Sequence, residues 1–169
     1  MNNYKEISPK ELNESAFKLI GSDWMLITAA KDETVNTMTA SWGGLGVLWN
    51  KNVVYIFIRP QRYTKEFVDA SDKFSLTFFN EAYKKDLSYL GTVSGRDENK
   101  ISKTKLNLNY IEETPVFEES RLTIICKKLY AQDLDPKCFI DKSLDDKCYP
   151  TKDYHTLYVA EVEKILIKE

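Results

Sequence analysis

Short apolar runs broken by polar turns are what most constrain the fold of this chain. Residues 24–30, 35–41, 53–58, 74–79, 108–111, 116–117, 122–133 and 154–167 each read as a strand, rich in β-branched and aromatic side chains. Helical patterns fall at 9–20, 63–70 and 81–90, at intervals that never settle into strand-helix alternation. A doubly wound parallel sheet needs that alternation, so the pattern predicts a mainly β, antiparallel barrel with peripheral helices.

Local signals sharpen the boundaries. The first helix has Ser8 as N-cap, Pro9 at its first position, Glu11 placed for a capping box and Gly21 as its stop. Leu12, Ala16, Leu19 and Ile20 form its apolar stripe. Residues 31–34 are a polar turn that joins two strands into a hairpin. Gly43, Gly44 and Gly46 crowd one segment before residues 47–49, where glycine either lets backbone approach something flat or bulky or makes a tight bend. Residues 50–52 read as a turn, and Trp24 and Trp49 as core. Asn80 is placed to cap the helix at 81–90, residues 101–106 suggest a short helix, and residues 135–153 a polar loop carrying one helical turn.

A length of 169 residues with 43% hydrophobic content fits one domain over 1–169, and no repeat or linker divides it. Lys and Arg total 24 against 26 Asp and Glu, a net charge of −2 without a basic block. That balance argues against nucleic-acid or membrane-surface partners. No apolar run approaches the roughly 20 residues that cross a bilayer, and the polar start lacks a signal peptide's apolar core, so a cytoplasmic location is expected. The three cysteines stand at spacings matching no zinc signature, so no metal site is expected. Cys126 falls in a strand and reads as core; Cys138 and Cys148 flank the polar loop and are expected as reduced thiols.

The chemistry gathers where a strand gives way to a helix, at Arg59-Pro-Gln-Arg-Tyr-Thr64. Pro60 ends sheet pairing, and the helix at 63–70 then turns Phe67 and Ala70 inward. Two guanidinium forks and the Thr64 hydroxyl meet the free N–H groups of a helix start, a combination suited to a phosphate monoester. Spacing alone also admits ordinary solvated charges for Arg59 and Arg62. The loop Ser94-Gly-Arg-Asp-Glu-Asn-Lys100 carries hydroxyl, glycine and cations that can return to this clamp.

Together with Asn36-Thr-Met-Thr-Ala-Ser-Trp-Gly43, Cys126-Lys-Lys-Leu-Tyr130 and the run from Asp153 to Val162, these motifs stand in an order and at separations that resemble the flavin reductase and flavoredoxin-like family of FMN-binding split barrels. The likeness covers most of the chain; Ala160 stands where the family often has Gly. The resemblance implies a Greek-key antiparallel split barrel of six strands, assembled as a homodimer with FMN near the interface. It places Met38, Thr39, Ala40, Ser41 and Trp42 along the flavin ring and ribityl chain. Arg59, Arg62 and Thr64 would hold the phosphate, with Ser94 and Lys100 completing that end. It further implies an NAD(P)H-dependent flavin reductase passing hydride from nicotinamide to N5 of FMN, then electrons to free flavin or an acceptor protein. A flavoredoxin-like carrier without NAD(P)H oxidation, or a ligand-binding barrel without flavin, are the alternatives. Physically, a flavin needs hydrogen bonds at its pyrimidine edge and apolar contact on its faces, which backbone N–H groups of residues 39–42 and the Trp42 ring can supply. Trp42 read without the family is a half-buried barrel aromatic. His155, the one imidazole, is either a packing residue in an aromatic strand or, by the resemblance, a contact near the nicotinamide side of the flavin. Arg96 reads as a solvated charge.

Overall fold

The computed structural model describes residues 4–169, so the first three residues of the polar start lie outside it. Eight antiparallel strands form the main sheet. They are β1 (Tyr4–Ile7), β2 (Met25–Lys31), β3 (Thr34–Ala40), β4 (Gly43–Leu48), β5 (Lys51–Ile58), β6 (Lys73–Phe78), β9 (Leu122–Asp133) and β10 (Thr156–Lys168). A separate hairpin pairs β7 (Leu108–Ile111) with β8 (Thr114–Phe117). Three helices intervene: α1 (Thr64–Ala70), α2 (Lys84–Thr92) and α3 (Ser143–Cys148).

The strand order is β3-β2-β6-β9-β10-β5-β4, with β1 paired to β10. The two ends of this path, β3 and β4, are consecutive in sequence, with only Ser41 and Trp42 between them. A link that short spans roughly 10–11 Å, so the sheet has to curl until its ends meet. The mainly β barrel expected from the sequence is therefore present, and residues 38–42 lie at its seam. The 13-residue β10 pairs with β9 along its length, with β5 over its first half and with β1 over its last residues. Register shifts between Val159 and Ala160, and between Val162 and Lys164, bend this shared strand as a closing sheet requires. The sheet thus holds eight strands, not the six that the resemblance implied, because β1 and the glycine-rich segment both enter the ladder.

Alternation sorts the side chains. Ile27, Met38, Val54, Ile56, Phe74, Leu76, Ile124, Tyr158 and Ala160 point into one core, which Phe67 and Val68 of α1 close. Leu26, on the opposite face of β2, joins Leu87 and Leu90 of α2, Phe79 and Phe117 in a second cluster.

Several expectations need correction. The helix at 9–20 is broken: Pro9–Glu11 is one 3-10 turn, with Ser8 N–H donating to the Glu11 carboxylate, and Phe17–Ser22 is a separate π-helical turn. Leu19 and Ile20 still reach the core. In α1 the second inward residue is Val68; Ala70 is exposed, because the buried stripe runs through Thr64, Phe67 and Val68 at i, i+3 and i+4 and Ala70 falls off it. Residues 101–106 hold only the 3-10 turn Ile101–Lys103. Trp49 is 55% exposed and not core. Trp49 and Asn50 both take positive φ as the two turn residues joining β4 to β5, which swings the indole out of the ladder. Trp24 is partly buried beside the second cluster, with the Lys84 ammonium 3.6 Å from its ring centroid.

The glycines of β4 lie across the Tyr55 ring. A Cβ at Gly44 or Gly46 would sit 3.4 Å from that ring, and one at Gly43 only 2.6 Å from the Tyr55 carbonyl oxygen. The flat object that the glycines admit is a neighbouring side chain.

Candidate functional site

Two adjoining hollows open at the barrel seam. The larger, a cleft of about 300 Å³, is lined by Met38, Thr39, Ala40, Ser41 and Trp42 on one side and by Phe57, Arg59, Arg62 and His155 on the other. Alternation explains the division: Val54, Ile56 and Ile58 of β5 enter the core, so Phe57 faces out, and β3 ends at Ala40, leaving Ser41 and Trp42 as rim. The Thr39 hydroxyl is fixed by donating to the Leu87 carbonyl of α2. The walls present aromatic faces and strand-end backbone.

The smaller hollow, about 120 Å³, brings together Arg62, Thr64, Ser94 and Lys100 with Asn36 and the end of α2. Arg62 lines both. Its guanidinium has no side-chain hydrogen bond or ion pair among the described residues, and burial pushes its pKa down. Lys100 is 3% exposed and its ammonium donates to the Leu90 and Val93 carbonyls, 2.8 and 2.9 Å away. An ammonium has three donors, so one is left for the hollow. Burial, and then the neighbouring Arg62 charge, lower its pKa to about 8. Thr64 is buried and accepts from Asn36 Nδ2 at 2.9 Å, which leaves its own hydroxyl proton to donate. Gly95 packs so closely on Asn36 that a Cβ there would come within 2.3 Å of Asn36 Oδ1. Two desolvated cations without a carboxylate between them are unfavourable unless an anion joins them.

Arg59 differs from its expected place. It lines the cleft and not the small hollow, and its guanidinium donates to the Asp153 carboxylate and the Cys148 carbonyl. That hydrogen bond, with a second from Gln61, holds the Asp153 carboxyl well below the usual carboxylate range. Arg59 therefore ties residues 134–153 to the barrel. Arg96 is likewise paired: it donates to the Gln61 carbonyl and to Glu66, and stacks 4.6 Å over Tyr63, bringing its loop back to the clamp.

His155 is 8% exposed, with ring centroids 5.1 Å from Trp42 and 6.5 Å from Phe57. Burial, followed by the Arg59 charge, lowers its pKa to about 4, so the imidazole is neutral at pH 7. Burial pushes the Cys126 thiol well up, while Cys138 is exposed and Cys148 half-buried; all three are unpaired. Among the described residues no group of three or more His, Cys, Asp and Glu is placed to hold a metal ion, and no helix is long and apolar enough to cross a membrane.

All ten expected binding residues thus line one or other of two neighbouring hollows, and His155 lines the cleft. Phe57, Asn36, Gln61 and Asp153 were not anticipated. Alternation along β5 marks Phe57; the other three take their places through contacts distant in sequence.

The fold and site together define a small antiparallel barrel closed at a short seam, with a cleft carrying aromatic side chains beside a cationic hollow. The flavin reductase like domain matches residues 17–169, and the chain belongs to that family. Solved structures share the fold. Flavoredoxin from Methanosarcina acetivorans is 21% identical with a TM-score of 0.68, over 87% of this chain and 69% of that one. An FMN-binding domain of a flavin reductases-like enzyme from Shewanella baltica OS155 is 18% identical with a TM-score of 0.70, over 99% and 78%. The FMN-binding protein from Thermus thermophilus, solved with p-hydroxybenzaldehyde, is 20% identical with a TM-score of 0.67, over 96% and 78%. Comparison with curated proteins gave no match.

Proposed function

We propose that this protein is an FMN-binding oxidoreductase that accepts reducing equivalents from NAD(P)H. The carrying observation is the pair Arg62 and Lys100, the first half-buried and the second buried, both without an acidic partner among the described residues, at the end of an aromatic-walled cleft. The donor set suits a phosphate monoester: a guanidinium fork, one ammonium N–H, and the Thr64 and Ser94 hydroxyls. Arg59, already bound to Asp153, is not assigned to the phosphate; it borders the ring end of the cleft.

FMN, when bound, supplies the hydride-accepting chemistry, which is why the chain needs no nucleophile of its own. Met38 to Trp42 then offer strand-end backbone to the ring edge and an indole to its face. Trp42 and Phe57 exclude water from the cleft, and neutral His155 offers a ring nitrogen without adding charge. The name of the Methanosarcina neighbour supports a carrier as the second reading.

A second copy of the chain is the proposed partner. Tyr55, Phe57, Leu157 and Val159 share the outer face of β5 and β10, by their register with one another. Tyr130 of β9 lies opposite Val159, with Trp49, 55% exposed, 6.2 Å from it between ring centroids, and the two extend this apolar face. The test is a spectrum of the purified protein titrated with FMN and then mixed with NADH or NADPH. Saturable FMN uptake followed by rapid bleaching is expected. Uptake without bleaching replaces the reductase by the carrier, and no uptake removes both.

A further inference from the structure

His155 has a partner that the flavin reading does not use. Tyr149, 4% exposed, follows α3 in the excursion at 134–153, and its Oη lies 2.8 Å from His155 Nδ1. Its ring is held on several sides: Phe139 at 5.9 Å, Tyr154 at 5.0 Å and the Arg59 guanidinium at 5.1 Å from its centroid. The Arg59 bonds to Asp153 and the Cys148 carbonyl pin both ends of the short segment that carries Tyr149. The phenol is thus fixed against one imidazole nitrogen by packing and not by chance rotation.

The other nitrogen is free. Among the described residues Nε2 makes no hydrogen bond, yet it is absent from the fully buried unpartnered atoms, which consist of Thr77 Oγ1 alone. His155 lines the cleft beside Trp42 and Phe57, so Nε2 is the polar atom the ring exposes there. A neutral imidazole carries one proton, and the hydrogen bond at one nitrogen decides which. The Tyr149 hydroxyl has no other hydrogen-bond partner among the described residues, so its proton has only Nδ1 to be donated to. Nε2 then bears the hydrogen.

We propose that Tyr149 is a positioning residue that fixes His155 as its Nε2–H tautomer, giving the cleft a neutral donor that selects an uncharged carbonyl or carboxamide oxygen of the second reactant. The matching reactant is a planar ring bearing such a group, because the donor stands between two aromatic side chains and the adjacent Arg59 is already neutralised by Asp153. The identity of that reactant rests on the proposed flavin reading; the tautomer does not.

The chain has a single histidine, so a long-range proton–nitrogen spectrum of the ¹⁵N-labelled protein shows one pair of imidazole nitrogens. At pH 7 the flavin-free protein is expected to show a protonated Nε2 and an unprotonated Nδ1. In Tyr149→Phe both nitrogens move toward the averaged position of an exchanging imidazole. With FMN bound, the same variant raises KM for the reduced nicotinamide about fivefold, the worth of one hydrogen bond, and changes kcat less. A protonated Nδ1 in the unmodified protein, or unchanged nitrogen shifts in Tyr149→Phe, overturns the proposal. The unmodified protein's spectrum decides even if the variant does not fold. FMN titration run alongside reports on the flavin reading separately, since the tautomer is read without flavin.

Discussion

At the scale of single residues, charge without a counter-charge is the most informative feature of the molecule. Arg62 sits on the boundary between the two hollows with no ion pair among the described residues, and Arg62→Ala should weaken FMN binding by ~1.5–3 kcal/mol, the scale of a charge-assisted contact. Isothermal titration checks this, and an unchanged affinity would remove the arginine from the phosphate site. Lys100 makes a second, pH-dependent prediction. Its pKa of about 8 in the free protein lies below the usual lysine value of 10.5, because burial and Arg62 disfavour its charge. The unfolded chain therefore holds more protons between those two values, and stability attributable to this group rises with pH across that window. A bound phosphate has the opposite effect: it favours the ammonium and draws a proton onto it. FMN affinity should fall as pH rises above about 8, and Lys100→Met should flatten that limb. The phosphate's own second ionisation, near pH 6, leaves the window clear.

Elements are set here by what the backbone has room for. The glycines of β4 lie against Tyr55 of β5, and the Gly43 contact is with main chain, which cannot swing aside. Gly43→Ala should cost about 1–3 kcal/mol, as overpacking does. Gly21, whose added Cβ would meet nothing within 4 Å, is the control: its alanine variant should be neutral or slightly stabilising. Denaturant midpoints of the two variants give the comparison, and equal midpoints would mean that β4 yields freely. The excursion at 134–153 follows a different logic. It buries little of its own, and it is held by the Arg59–Asp153 pair and by the Phe139, Tyr149 and Tyr154 rings.

For the molecule as a whole, the curl of the sheet puts the cleft and an apolar outer face side by side. A double variant, Tyr130→Glu with Trp49→Glu, places charge on that face without touching either hollow. If two copies meet there, light scattering should show the mass halving from dimer to monomer while the thermal transition remains cooperative. A monomeric mass before substitution would sink the assembly outright.

The amino-acid sequence by itself determined the class of fold, because period-two alternation and turn chemistry are local properties, readable without knowing what pairs with what. That Arg62 and Thr64 stand together was legible for the same reason: a proline-terminated strand and a helix start are adjacent in the chain. The loop around Lys100 carries chemistry that can return to them, but only the resemblance singled out Ser94 and Lys100 within it. Only the tertiary structure decided which cations are free. Arg59 and Arg62 are nearly identical in local context, yet Asp153, ninety-four positions from Arg59, occupies one guanidinium and leaves the other open. It also decided the fate of Trp49, whose turn geometry depends on the β4–β5 register, and it brought Tyr149 to His155. Ion pairing, register and burial are relations between distant segments, fixed when the sheet closes and invisible to any pattern read along one stretch.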